Sequence, residues 1–84
     1  MLSYVYKSHR RADTYVYLVR RDDFDALPTA LREQLGELSF VLEVSLSAER
    51  KLARAEATAV IAQLAEQGYY LQLPPSPETL SPGG

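Results

Sequence analysis

The chain contains no cysteine, which excludes disulfides, thiol nucleophiles and every cysteine-based metal site. It contains a single histidine, His9, so a multi-histidine metal centre is excluded as well. Only four glycines are present, too few for a generous nucleotide-cradling loop, and no GxGxxG, phosphate-binding loop, HExxH or GxSxG motif occurs. The longest uncharged apolar stretch in the body, Ala57 to Ala62, falls far short of the ~20 residues that span a bilayer. Met1-Leu2-Ser3-Tyr4 lacks a basic segment followed by an apolar one, so no signal peptide is expected and the cytoplasm is the expected location. There is no strong excess of one charge. Nine Lys and Arg stand against eleven Asp and Glu, a formal net charge of −2, which offers no global attraction to nucleic acid or anionic lipid.

What is present describes one small folded domain. The chain has 84 residues, 46% of them hydrophobic and 24% charged, an ordinary globular composition. Residues 1–75 form the domain, and residues 76–84, rich in Pro, Ser and Gly, read as a tail. Leu2 to Ser8 and Thr14 to Arg20 alternate and are rich in Tyr and Val, as strands are. The short polar connection His9 to Asp13 makes them an antiparallel hairpin. With Ser8 opposite Thr14, Tyr6 meets Val16 and Tyr4 meets Leu18. Leu2 shares their side, and Val5, Tyr15, Tyr17 and Val19 lie on the other. Both faces are then apolar or aromatic, and such a sheet needs a helix on each side.

The helices follow from their end signals. Asp23 is placed to cap a short turn, Pro28 to open a helix and Gly36 to close it, with Leu31 and Leu35 on one face between them. Leu38 to Leu46 reads as a third strand. Strict alternation puts Leu38, Phe40, Leu42, Val44 and Leu46 on one face, and Ser39, Val41, Glu43 and Ser45 on the wetter one. Ser47 suits the cap of a second helix. That helix carries the stripe Ala53, Ala57, Val60, Ile61 and Leu64, and Gly68 ends it. Tyr69 to Leu73 is a fourth strand, stopped by Pro74 and Pro75. The expected architecture is α+β: a four-stranded, mainly antiparallel sheet with helices packed on both faces.

Several runs together resemble a known family. Tyr6-Lys7-Ser8, Thr14-Tyr15-Val16-Tyr17, Arg21-Asp22-Asp23-Phe24, Leu27-Pro28, Lys51-Leu52-Ala53 and the closing Gln67-Gly68-Tyr69-Tyr70-Leu71-Gln72-Leu73-Pro74-Pro75 are similar to the YcgL domain of gammaproteobacteria. The similarity runs from Met1 to about Leu80. It implies an α/β/α sandwich around a four-stranded sheet, and it implies no defined activity.

Candidate functional residues fall into several groups. Lys7, His9, Arg10 and Arg11 cluster at the hairpin tip, with Arg20 and Arg21 roughly 20 Å away at the other end of the second strand. They are candidates for phosphate or RNA contact, against the alternative of a solvated turn paired to Asp13, Asp22 and Asp23. The second basic run, Arg50, Lys51 and Arg54, is a candidate to join them. The six tyrosines would serve as a stacking platform only if a sheet face were bare; packing beneath helices is the simpler reading. Asp22, Asp23 and Asp25 suit a helix start better than a metal site, and Ser8 beside His9 lacks the surroundings of an activated nucleophile. Tyr70, Gln72, Pro74 and Pro75, with the PxxP spacing that runs to Pro77, mark the favoured partner-contact surface. Tyr70 is expected to face outward. No catalytic set assembles and no cofactor or metal is expected. The sequence thus favours a non-catalytic protein-interaction module, with weak RNA or phosphate binding as the alternative and no role for a membrane. It leaves the oligomeric state open.

Overall fold

A computed structural model describes residues 1–47 and 57–74. Its elements, in chain order, are strand β1 (Leu2–Ser8), strand β2 (Tyr15–Leu18), a single 3-10 turn (Phe24–Ala26), helix α1 (Thr29–Leu35), strand β3 (Leu38–Ser45), helix α2 (Ala57–Gln67) and strand β4 (Tyr69–Gln72). The fold is α+β. The four strands form one antiparallel sheet in the order β3-β1-β2-β4. The first hairpin is therefore the centre of the sheet, and the two later strands are its edges.

The hairpin adopts the register its side chains require, with Tyr4 opposite Leu18, Val5 opposite Tyr17 and Tyr6 opposite Val16. Its two faces feed two separate cores. On one, Tyr6, Val16 and Leu18 are buried with Leu27 and Leu35 of the α1 region. On the other, Val5 and Tyr17 are buried with Val44, Leu46 and two residues of α2, Val60 and Leu64. Both faces have to be covered because leaving either bare would expose large apolar side chains to water.

Strand β3 departs from strict alternation. Its register against β1 shifts between Val5 and Tyr6: Tyr6 faces Phe40, while Val5 faces Leu42. Val41 is thus an extra residue, a β-bulge. An extra residue reverses which side every later side chain takes. Leu38 and Phe40 accordingly pack on the Tyr6 side, and Val44 and Leu46 on the Val5 side. The expectation that Leu38, Phe40, Leu42, Val44 and Leu46 share one face is corrected. One strand instead contributes to both cores.

Helix α1 begins immediately after Pro28, whose carbonyl accepts the Arg32 N–H at 3.0 Å. It ends at Gly36, with φ 67° and ψ −146°, a region that side chains other than glycine's strongly resist. The stripe on α2 is right in kind. Ala57, Val60 and Leu64 are buried, whereas Ile61 is half-buried against the same core. Ala53 lies outside the described residues, as do Arg50, Lys51, Arg54, Pro75 and the segment 76–84, so the contacts expected of them do too, and so do residues 48–56, which Ser47 is expected to cap.

Truncating Leu64, which is 2% exposed, should open a cavity under α2. Leu64→Ala should destabilise by about 2–5 kcal/mol, and Ile61→Ala by clearly less. Parallel urea titrations of both variants check the order.

Candidate functional site

The residues singled out by charge sit on the β1–β2 turn, and that turn is stitched to the end of α1. The Ser8 hydroxyl, buried, donates to the Leu35 carbonyl at 2.6 Å and accepts the Arg11 N–H at 3.0 Å. The backbone N–H groups of His9 and Arg10 donate to the Glu37 and Leu35 carbonyls. The Arg10 Nη1 donates to the Glu33 carbonyl at 2.6 Å, and the Arg11 Nη1 reaches Gln34 Oε1 at 3.4 Å. The last turn of a helix leaves carbonyls without intrahelical partners and carries partial negative charge. Arg10 and Arg11 thus serve the end of α1. Among the described residues one ion pair forms, Arg32 with Asp25 at 3.4 Å, on the surface, so the turn is held by helix-end carbonyls and not by Asp13, Asp22 or Asp23.

His9 does have a serine partner, but it is Ser39 of β3, in contact with Nε2, and not its neighbour Ser8. Sequence distance hid this pair, since the two residues meet only because β3 lies beside β1. Lys7 stands opposite Ser39 on one side and Tyr15 on the other, and Tyr15 stands opposite Gln72. A transverse row Ser39-Lys7-Tyr15-Gln72 therefore crosses all four strands. Next to it, the Tyr17 hydroxyl donates to Gln72 Oε1 at 3.2 Å. Lys7 is exposed, and its ammonium has no hydrogen bond or ion pair with any described residue. An open cavity of about 490 Å³ lies over this end of the sheet, lined by Lys7, Ser8, His9, Arg10, Ala12 and Ser39. Among the described residues, no carboxylate lines it.

The acidic run serves structure. Asp22 has φ 61°, uncommon for a residue with a side chain. Its carboxylate accepts the Tyr6 hydroxyl at 2.9 Å, and its backbone N–H donates to the same phenol oxygen at 2.6 Å. Phe24 and Phe40 meet the Tyr6 ring edge-on, with centroids 5.0 and 5.7 Å away. Burial raises the Tyr6 pKa above its ordinary 10.0, and the Asp22 carboxylate adds to the rise by holding the phenol proton. Asp23 makes no side-chain capping bond. Among the described residues, no three side chains of His, Asp or Glu gather in a metal-binding group.

The C-terminal surface is partly committed to the fold. Tyr70 does turn away from Tyr69 and Leu71, but onto the second core, where its ring packs edge-to-face on Tyr17 at 5.7 Å. The expectation that it faces outward is corrected: both sides of the sheet are core. Gln72 holds the Tyr17 hydroxyl, and Pro74 is exposed. No tyrosine of the described residues is fully exposed, so the stacking platform does not form.

A surface that alternation concealed lies on β3. Phe40, Val41 and Leu42 are 39, 44 and 47% exposed, on the edge of the sheet. The Arg21 guanidinium lies 4.2 Å above the Phe40 ring, a cation–π contact. Arg20 is exposed. Nothing in a period of two signals a bulge, and nothing local says which strand becomes an edge.

Comparison with known proteins gives the arrangement its place. The family model described as the YcgL domain matches residues 3–75. The chain belongs to the YcgL family. A YcgL domain-containing protein of Stenotrophomonas maltophilia (strain K279a) is 54% identical over 82 residues, covering 98% of this chain and 95% of its own. One from Xanthomonas euvesicatoria pv. vesicatoria (strain 85-10) is 55% identical over 74 residues, covering 88% and 86%. One from Thioalkalivibrio sulfidiphilus (strain HL-EbGR7) is 47% identical over 78 residues, covering 93% and 96%. The YcgL match takes in the central hairpin, the bulged strand and the closing strand alike. No helix among the described residues is long and apolar enough to cross a membrane.

Two substitutions test the interior of this YcgL domain. Tyr6→Phe removes both bonds to Asp22 and should cost about 1–3 kcal/mol. Because the folded-state pKa of Tyr6 is raised, its contribution is complete below pH 10 and declines as pH climbs from there through the folded value. Chemical denaturation of wild type and Tyr6→Phe between pH 8 and 11 should therefore show their difference in stability shrinking at the alkaline end. Gly36→Ala would place a methyl group 3.1 Å from Arg10 Cβ at a φ of 67°. It should lower stability by roughly 1–3 kcal/mol, read as a fall in the thermal midpoint.

Proposed function

We propose that this YcgL domain is a non-catalytic protein-interaction module that receives an extended segment of another protein along the outer edge of β3. The supporting observation is the run Phe40-Val41-Leu42, three large apolar side chains exposed in succession on an eight-residue edge strand. An edge strand offers backbone N–H and C=O groups to an added strand, and alternate side-chain sites give the pairing its selectivity. The Val41 bulge and the exposed charge of Glu43 interrupt the edge, and such features restrain indiscriminate pairing while leaving room for a matched partner. Catalysis has no support in an assembled nucleophile, base and orienting group: the His9–Ser39 pair is exposed, and no described carboxylate is bonded to the imidazole.

The test places charge on that edge. Leu42→Lys should leave the thermal midpoint within a few degrees of wild type, since the side chain is 47% exposed. It should weaken capture of a binding protein at least about tenfold, a loss of ~1.4 kcal/mol. Affinity capture from the native bacterium, with wild type and variant side by side, decides. Equal recovery of the same partners by both proteins would remove the β3 edge from consideration.

A further inference from the structure

We infer that the open cavity at the β1–β2 turn is an anion site for a phosphate group, free or as a small monoester, bound between Lys7, His9 and Ser39. The inference is independent of the β3 edge, because the cavity lies over the Lys7 end of the sheet and includes none of Phe40, Val41 or Leu42.

Three observations converge. The first is local charge. The whole chain carries −2, yet among the described residues the cavity is lined by a lysine, an arginine and a histidine and by no carboxylate. Glu37, two residues before Ser39, lines a different cavity.

The second is the availability of donors. Arg10 spends one N–H on the Glu33 carbonyl, but a guanidinium carries five. Lys7 has spent none on any described residue. Almost every other polar group around the turn is engaged: Ser8 with Leu35 and Arg11, Arg11 with Gln34, Thr14 with Ala12. An ammonium with no partner among the described residues, beside a largely bonded turn, is a group available to an acceptor.

The third is the placement of hydroxyl and imidazole. Ser39 lies directly across from Lys7, in contact with His9 Nε2. In the tautomer that protonates Nε2 the imidazole donates to the Ser39 oxygen, which leaves the serine hydroxyl hydrogen free for a ligand. Ammonium, guanidinium and hydroxyl then present hydrogen-bond donors to one space, the pattern that phosphate oxygens satisfy. The ~490 Å³ volume falls within the ~300–1,000 Å³ of small-ligand sites.

The site differs from a general basic surface in its residues. Arg11 is turned to Gln34 and Arg21 lies over Phe40, so neither belongs to it, whereas His9 and Ser39 do.

The experiment is a titration of the full ¹⁵N-labelled chain, at low salt, with inorganic phosphate and separately with adenosine 5′-monophosphate. Saturable shifts centred on Lys7, His9 and Ser39 are expected, with Lys7→Gln weakening binding at least about tenfold and leaving the thermal midpoint unchanged. Ser39→Ala serves as a second variant and should weaken binding severalfold. Equal affinity for the two ligands assigns the site to free phosphate, and tighter binding of the nucleotide assigns it to esters. The proposal is overturned if neither ligand gives saturable shifts, if the shifts centre on Arg20 and Arg21 instead, or if Lys7→Gln binds as wild type does.

Discussion

The phenol of Tyr6 is the joint on which this structure turns. It is buried beneath α1 at the centre of the sheet, and its oxygen both donates to the Asp22 carboxylate and accepts the Asp22 N–H. A buried hydroxyl without partners would be costly, so the chain after β2 must bring Asp22 back to it. Doing so holds Asp22 at φ 61°, turns the backbone into the 3-10 segment, and sets Phe24 against the Tyr6 ring. The position of Leu27, and through Pro28 the start of α1, follows from that turn.

The far end of α1 is governed by the same strand. Ser8, two residues beyond Tyr6 on the same face, takes the Leu35 carbonyl, and Arg10 closes over Gly36 to take that of Glu33. Helix α1 has seven residues, too short to persist by its own propensity. It is held at both ends by β1 and by the turn that follows. The basic tip is thus in part a helix clamp: Arg10 and Arg11, though exposed, are tied to the end of α1, while the exposed Lys7 has no side-chain partner among the described residues.

The bulge at Val41 shapes the surface as the Tyr6 contact shapes the interior. By reversing the parity of β3 it lets one strand feed two cores, with Leu38 on the α1 side and Val44 on the α2 side. The reversal occurs where Phe40, Val41 and Leu42 are exposed. The apolar edge is therefore a consequence of how the strand crosses from one core to the other, and the proposed partner contact lies on that crossing.

Alternation along Leu2 to Ser8 and Tyr15 to Leu18, together with a short polar connection, determined the hairpin and its register, because cross-strand pairing is set by neighbours only a few residues apart. Pro28, Gly36 and Gly68 likewise marked helix ends through local backbone preference. The four-stranded α+β architecture was legible for the same reason: two apolar faces demand two covers. Tertiary structure alone decided that β3 lies beside β1, that it bulges at Val41, and that Tyr70 meets Tyr17. It alone brought Ser39 to His9 and Arg21 to Phe40. These contacts join residues far apart in the chain. Their selection depends on which of several apolar strands completes each core, and no local period or turn signal carries that information.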